Sequence, residues 1–220
     1  MITLNPDAQM NGSFIRTLRH PKINEPILIA GFPGLGEIGN IVAKMLIDLL
    51  QAELFAELYS SAFQDFVFID KNGICRPPRY EFYDVRRGRD LIILTGDGYP
   101  SFDDIPGHYE ICNNILDFIE KFACKSIITI DGAASSLSQE KIYVSATSKE
   151  IVSQYVEKGA TLYRNKRIIG LSGLILGLAK KRGFEGACLL ASTPGYRRDR
   201  KAAFRVYRFL SEFLGNTSYL

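Results

Sequence analysis

Short, continuously apolar runs alternate along this chain with longer segments of helical periodicity. Ile27–Gly31 and Leu91–Thr95 consist almost entirely of apolar residues, as do strands that are buried on both faces. Between them, Glu37–Gln51 places apolar residues three and four positions apart, which predicts an amphipathic helix. This alternation predicts an α/β fold, with a mainly parallel mixed sheet covered by helices on both faces.

The same alternation continues along the rest of the chain. Further strands are predicted over Leu54–Tyr59, Phe66–Asp70, Tyr80–Val85, Ser126–Asp131, Ile142–Ala146, Ile168–Gly170 and Ala187–Ser192. Further helices are predicted over Gly107–Ala123, Ser148–Lys158, Ser172–Arg182 and Lys201–Leu214. The period-two alternation of Tyr80–Val85 favours an antiparallel or edge strand. Because no linker or repeat divides the chain, we expect one domain over residues 1–214 and a flexible tail over residues 215–220.

Charge and cysteine content exclude several classes of protein. The 27 basic and 24 acidic residues leave a formal net charge of only +3, too small to indicate a nucleic-acid or membrane-surface binder. The four cysteines include no C-x-x-C pair, which favours reduced, mostly buried thiols. The N-terminus lacks the pattern of a signal peptide, and Ile168–Ala179 is too short to span a bilayer. We therefore expect a cytoplasmic protein.

A glycine-rich segment follows the first apolar run. Gly34, Gly36 and Gly39 have the G-x-G-x-x-G spacing of a dinucleotide-binding turn. Gly31-Phe32-Pro33 lengthens the turn, whereas a pyrophosphate site needs a tight one. The favoured interpretation is that the glycines allow a sharp turn and close packing of the next helix.

The segment Gly96–Glu110 follows another predicted strand and is rich in polar residues. Asp97 and His108 are candidates for acid/base chemistry or metal binding. Helix initiation explains the other polar positions better, with a cap at Asp103 or Asp104, Pro106 in the first turn and Glu110 near the positive end of the helix dipole. No nucleophile elbow or zinc-protease motif occurs in the sequence, so we expect no catalytic residue, metal or cofactor.

A basic run, Tyr196–Lys201, continues as Arg205 and Arg208 on the last predicted helix. Apolar residues occupy the opposite side of that helix, which favours a solvated basic face. Its best functional interpretation is contact with an acidic protein surface or with another copy of the chain. We also expect Tyr80–Tyr83 to contribute to self-association, because Tyr and Arg are enriched at interfaces.

Six short motifs occur in a defined order between Pro26 and Leu214. They are Gly31-Phe-Pro-Gly-Leu-Gly36, Arg76-Pro-Pro-Arg-Tyr-Glu81, Thr95-Gly-Asp97, Gly107-His-Tyr-Glu110, Gly173-Leu-Ile-Leu-Gly-Leu-Ala179 and Thr193-Pro-Gly-Tyr196. Together they resemble the archaeal proteasome-assembly-chaperone family, which is related to the second subunit of the eukaryotic assembly heterodimer.

The resemblance implies a three-layer α/β/α sandwich similar to the nucleoside-phosphorylase type, a homo-oligomer, and binding to proteasome subunits without catalysis. Some family members end in a hydrophobic-Tyr-any tripeptide that docks on the proteasome α-ring. Here Tyr219 and Leu220 match that docking tail, while Ser218 stands where an apolar residue belongs. The candidate partner- or ligand-binding positions are Gly31, Phe32, Pro33, Gly34, Gly36, Arg76, Arg79, Asp97, His108 and Tyr196.

Two functions follow from these observations. The leading hypothesis is a non-catalytic protein-binding scaffold similar to a proteasome assembly chaperone. The alternative is an enzyme or small-ligand binder, of nucleosides or phosphate, that uses the Gly31–Gly39 and Gly96–Glu110 loops.

Overall fold

The structure, a computed structural model, describes residues 12–86, 88–135, 140–195 and 197–215. The strands are β1 (Ser13–Thr17), β2 (Ile27–Gly31), β3 (Glu53–Ser60), β4 (Phe68–Ile69), β5 (Cys75–Arg76), β6 (Tyr80–Val85), β7 (Leu91–Gly96), β8 (Ser126–Ala134), β9 (Ile142–Ala146), β10 (Thr161–Leu162) and β11 (Glu185–Thr193). The helices are α1 (Ile38–Leu50), α2 (Ile105–Glu120), α3 (Lys149–Glu157), α4 (Leu171–Lys181) and α5 (Arg200–Phe213), and a 3-10 turn, Leu35–Glu37, precedes α1.

Nine of these strands form one mixed sheet in the order β1-β3-β6-β7-β2-β8-β11-β9-β10. Its centre, β7-β2-β8-β11, is parallel, and these strands correspond to the continuously apolar runs in the sequence. Antiparallel pairs join β1, β3 and β6 to β7 on one side and β9 to β11 on the other. Strands β4 and β5 pair only with each other, as a small separate hairpin.

Helices cover both faces of the sheet. Ile29 of β2 faces a core formed with Val42 of α1 and Val206 of α5. Its neighbour Leu28 points to the opposite face and packs in a second core with Ile115 of α2. The alternation of side chains along a strand thus feeds two separate cores, and the predicted three-layer α/β/α architecture is confirmed.

Local sequence signals account for several helix ends. The Asp104 side chain accepts a hydrogen bond from the amide of Gly107, as one of the two predicted caps of α2, and the Ser148 hydroxyl accepts one from the amide of Ile151 and caps α3. Gly159 follows α3 with a positive φ of 102°, a conformation that glycine adopts readily after a helix.

One strand assignment from the sequence is wrong, and one edge strand was missed. Residues 168–170 form no strand, because Ile169 is 83% exposed and Gly170 turns the chain with φ +94° into α4. The strand before α4 is Thr161–Leu162 instead. The N-terminal edge strand Ser13–Thr17 was not predicted, since its five residues are mixed in polarity.

Strand β6 lies inside the sheet, between β3 and β7. The predicted antiparallel pairing is confirmed. Tyr80 and Phe82 are buried in one of the cores, so these two residues cannot supply the surface for self-association that was expected of Tyr80–Tyr83.

Three of the four cysteines, Cys112, Cys124 and Cys188, are buried and free, whereas Cys75 is free and exposed, as the sequence predicted. No helix in the described part of the chain is long and apolar enough to cross a bilayer.

Candidate functional site

The parallel strands create a crevice at their carboxyl ends. After β2 the chain passes through α1 to β3, β6 and β7 on one side of the sheet, whereas β8 lies on the other side of β2 and leads on to β9. The ends of β2 and β8 are therefore a topological switch point, the place where ligands bind in open α/β sheets. A cleft of about 660 Å³ opens there.

The glycine-rich segment that follows β2 packs α1 against the sheet. A Cβ atom on Gly39 would lie only 2.4 Å from the carbonyl oxygen of Ile130 in β8. Gly36 adopts φ +67° and lies against Thr193 at the end of β11. The N-cap of α1 is Glu37, whose negative charge opposes a phosphate at this helix end. The packing interpretation of these glycines is thus the one the geometry favours.

The other positions expected in this segment divide between core and cleft. Phe32 is buried, with its ring 5.2 Å from that of Tyr80. Pro33 and Gly34 line the cleft. Gly34 faces Asp131, because a Cβ at position 34 would lie 2.6 Å from a carboxylate oxygen of Asp131.

Asp131 near the end of β8 is the principal polar group of the cleft, although none of the motifs in the sequence includes it. It is 5% exposed and accepts a 2.7 Å hydrogen bond from the amide of Gly132. Among the described residues no cation pairs with it. Burial raises its pKa to about 6, although the amides of Gly132 and Leu35 and the neighbouring Ser172 hydroxyl act in the opposite direction. Ser172 is itself buried and makes no hydrogen bond of regular geometry through its hydroxyl.

Tyr99 lies on the other side of the same cleft, in the loop after β7. Its hydroxyl is close to the backbone of Gly34 and of Gly170. Burial raises the pKa of this phenol, and the charge of Asp131 raises it further. The ring of Tyr99 stacks on Phe102, with centroids 5.9 Å apart, and Phe102 is 70% exposed.

Arg76, Arg79 and Asp97 belong to an ion-pair network beside the cleft. The Asp97 carboxylate accepts hydrogen bonds from the Arg76 guanidinium at 2.6 and 3.0 Å and from the backbone amide of Arg79 at 3.0 Å. The Arg79 guanidinium lies 2.8 Å from Glu57 and 2.6 Å from Glu81. These contacts tie together β3, β5, β6 and the loop after β7, which is a structural role.

His108 is buried near the start of α2. Its Nε2 lies 3.0 Å from the carbonyl oxygen of Ser101, which makes this nitrogen the donor. Since Asp97 has other partners, the two residues form no acid/base pair. Glu110 was expected near the positive end of the helix dipole, but it lies past the first turn of α2, where its carboxylate accepts a hydrogen bond from the amide of Ser13 in β1.

The predicted solvated basic face is confirmed around α5, where most basic residues are exposed: Arg197, Arg198, Arg200, Lys201 and Arg208. Arg198 lies 3.7 Å from Glu37. The Arg205 side chain is half-buried and donates to the carbonyl oxygen of Ser192 at 3.2 Å. Tyr196, Tyr219 and Leu220 lie outside the described residues.

No group of three or more His, Cys, Asp or Glu side chains with the geometry for a metal ion occurs within residues 12–86, 88–135, 140–195 and 197–215.

The model of the PAC2 family matches residues 28–218. The chain belongs to the PAC2 family. This result confirms the resemblance that the ordered motifs carry. The chain is 30% identical to the uncharacterized protein MJ1210 of Methanocaldococcus jannaschii over 188 residues, which are 84% of this chain and 72% of that protein.

Two solved structures from Pyrococcus furiosus are similar to this PAC2 protein. PbaB, an archaeal proteasome activator, is 34% identical with a TM-score of 0.89, covering 94% of this chain and 90% of PbaB. PbaA, an archaeal homolog of proteasome-assembly chaperone, is 25% identical with a TM-score of 0.79, covering 93% of this chain and 82% of PbaA.

Proposed function

We propose that this PAC2 protein is a non-catalytic scaffold that binds proteasome subunits and assists their assembly or activity. The observation that carries the proposal is the similarity to PbaB, which extends over 94% of the chain at 34% identity and a TM-score of 0.89. Because fold alone does not determine function, the proposal also needs a surface that a protein partner could contact.

Such a surface lies at the rim of the cleft. Phe102, Ile105 and Ile169 are 70%, 55% and 83% exposed, and Tyr109 on α2 is about half-exposed. Next to them a groove of about 470 Å³ runs between α2 and α4. Large apolar side chains gathered on one surface are typical of a protein-binding site. We refer to Phe102, Ile105, Tyr109 and Ile169 as the rim patch.

The proposal includes three further elements. The protein acts in the cytoplasm, it forms a homo-oligomer, and Tyr219 and Leu220 add a weak contact with the proteasome α-ring. Several weak tails on one oligomer bind more tightly than a single tail when their spacing matches the sites on the ring.

The geometry of the predicted catalytic candidates supports the absence of catalysis. Asp97 is held by Arg76, and His108 is held by Ser101, so neither side chain faces the other. The acidic groups at the cleft, Asp131 and Glu37, also disfavour the phosphate ligand of the alternative hypothesis.

Purified protein, mixed with recombinant proteasome α-subunits, provides the test. We expect a stable complex in size-exclusion chromatography with mass detection, and a mass for the free protein above that of one chain. Deletion of Tyr219 and Leu220 weakens the complex, and Ser218→Leu strengthens it. Absence of any complex with assembled or free subunits would overturn the proposal. Equal binding by the intact protein and both tail variants would show that the tail does not contribute to binding.

A further inference from the structure

We propose that the cleft between the carboxyl ends of β2 and β8 binds a small organic cation: an ammonium group on an apolar or aromatic body, with Asp131 as its counter-ion. This site adjoins the rim patch and shares Phe102 with it, but it differs in chemistry, since its key group is a buried carboxylate. It does not depend on the proposed binding to proteasome subunits.

The first observation is a buried charge that lacks a compensating one. The Asp131 carboxylate is nearly inaccessible, and within the described residues no Lys, Arg or His contacts it. Unpaired buried charges are costly, so proteins normally pair them. The carboxylate nevertheless borders an open cleft, where a ligand cation can reach it.

The second observation is an additional oxygen acceptor at the same point. The positions of Gly34 and Gly170 place the Tyr99 hydroxyl near the Asp131 carboxylate, and the two groups interact electrostatically. Among the described residues, the groups that act on the Tyr99 hydroxyl are the charges of Asp131 and Cys188, and neither of them is a hydrogen-bond partner. An ammonium group carries three N–H donors, which suits a site with more than one oxygen acceptor.

The third observation concerns the space around these oxygens. Gly34 has an extended backbone, with φ −172°, which any residue can adopt, so its torsion angles do not require glycine. A side chain there would meet Asp131 at 2.6 Å, and one at Gly170 would meet the Tyr99 hydroxyl at 2.7 Å. Glycine at position 34 thus leaves the carboxylate accessible.

The remaining walls define the body of the ligand. A volume of about 660 Å³ falls within the usual range for small-molecule sites. Leu35, Ile168 and Leu190 supply apolar walls, and the stacked rings of Tyr99 and Phe102 supply aromatic faces. Aromatic faces also attract cations, so they favour an ammonium over a neutral group.

The other titratable groups near Asp131 are few. Tyr99 from the β7 loop and Cys188 from β11 interact with its charge, and Ser172 from α4 contacts it. Glu37, Tyr163 and Arg167 also line the cleft. Asp131 is thus the group that gains charge as the pH rises through about 6, while an alkylammonium stays protonated.

The test compares two probes of matched shape, 2-phenylethylamine and the neutral 2-phenylethanol, by isothermal titration calorimetry on the full chain. We expect the amine to bind at pH 8 at least about tenfold more tightly than the alcohol. Its affinity falls about tenfold from pH 8 to pH 5 as Asp131 becomes protonated.

Three variants locate the effect. Asp131→Asn keeps the shape and one acceptor oxygen, and we expect it to abolish the preference for the amine. Tyr99→Phe removes only the hydroxyl and should lower the affinity for the amine several-fold. Glu37→Gln removes the same charge from the cleft lining and should change affinity by less than about threefold, because exposed charges are screened.

Circular dichroism checks that each variant is folded. If Asp131→Asn does not fold, the affinity of Tyr99→Phe for the amine decides the outcome. Failure of the wild-type chain to bind the amine at about 10 mM would overturn the proposal. Equal binding of the amine and the alcohol would also overturn it. So would an undiminished preference for the amine in both Asp131→Asn and Tyr99→Phe. None of these results would affect the proposed binding to proteasome subunits, which a separate complex-formation assay measures.

Discussion

Gly31 and Gly39 meet backbone to backbone where β2 leads into α1. A Cβ atom on Gly31 would lie 2.1 Å from the carbonyl oxygen of Gly39. A contact this short between real atoms is sterically forbidden, so the two glycines set the distance between the helix and the strand. The glycine-rich segment therefore allows α1 to pack closely on β2. This steric requirement explains why its glycine spacing is similar to that of a dinucleotide-binding turn.

The first prediction follows from this contact. Gly31→Ala forces α1 away from the sheet, and we expect it to lower the free energy of unfolding by about 2–3 kcal/mol. Gly177→Ala is the matched control, since nothing lies within 4 Å of a Cβ at that position in α4. The control should raise stability by about 0.5–1 kcal/mol, because alanine favours helices. Urea denaturation of both variants measures the difference, and equal effects would contradict the packing role.

The second prediction concerns the ion-pair network at Arg79. Its guanidinium lies between Glu57, which is almost fully buried, and Glu81. Arg79→Met leaves both carboxylates without their cation, so we expect a loss of about 3 kcal/mol in the free energy of unfolding. Arg208→Met, at an exposed pair 3.8 Å from Glu212, should change stability by less than about 0.5 kcal/mol. Similar losses in the two variants would show that Arg79 is no more important than a surface ion pair.

The sheet centre and the main helices are predictable because their signals are local. Strands such as Ile27–Gly31 are buried on both faces and are therefore continuously apolar, while α1 shows its amphipathic period within one segment. The mistaken strand at residues 168–170 arose from an apolar run that continues into α4. The apolar residues of that run do not reveal that Ile169 is exposed and that Gly170 turns the chain, because a buried strand would have a similar sequence.

The candidate site is harder to predict because it forms only in three dimensions. Gly34, Tyr99 and Asp131 come from the loops after β2 and β7 and from β8, and only the strand order brings them together. The one local signal for this site in the sequence is Asp131, an acidic residue near the end of an apolar parallel strand. In contrast, the ordered polar motifs drew attention to Asp97 and His108, whose partners are structural.

The third prediction tests the rim patch as the contact surface for a protein partner. Ile169 is 83% exposed, so Ile169→Lys should leave the free energy of unfolding within about 0.5 kcal/mol of wild type. We expect it to weaken the complex with proteasome α-subunits at least about tenfold, because it places a charge within an apolar interface. Phe204→Lys changes an exposed aromatic residue on α5, outside the patch, and should bind normally. Surface plasmon resonance measures both, and unchanged binding by Ile169→Lys would place the contact elsewhere.

The fourth prediction is that Asp131 makes the protein less stable as the pH rises. Burial raises the pKa of this carboxyl from 3.8 to about 6, so the folded state binds a proton more tightly than the unfolded state does. Its favourable contribution to the free energy of unfolding is complete below pH 4 and is lost as the pH rises through 6, a change on the order of 3 kcal/mol.

Asp131→Asn should therefore remove this pH dependence of stability and be more stable than wild type at pH 7. Urea denaturation from pH 4 to pH 7 tests it, with the exposed Asp103→Asn as the control. Parallel curves for wild type and Asp131→Asn would show that the carboxyl is already ionised at pH 4.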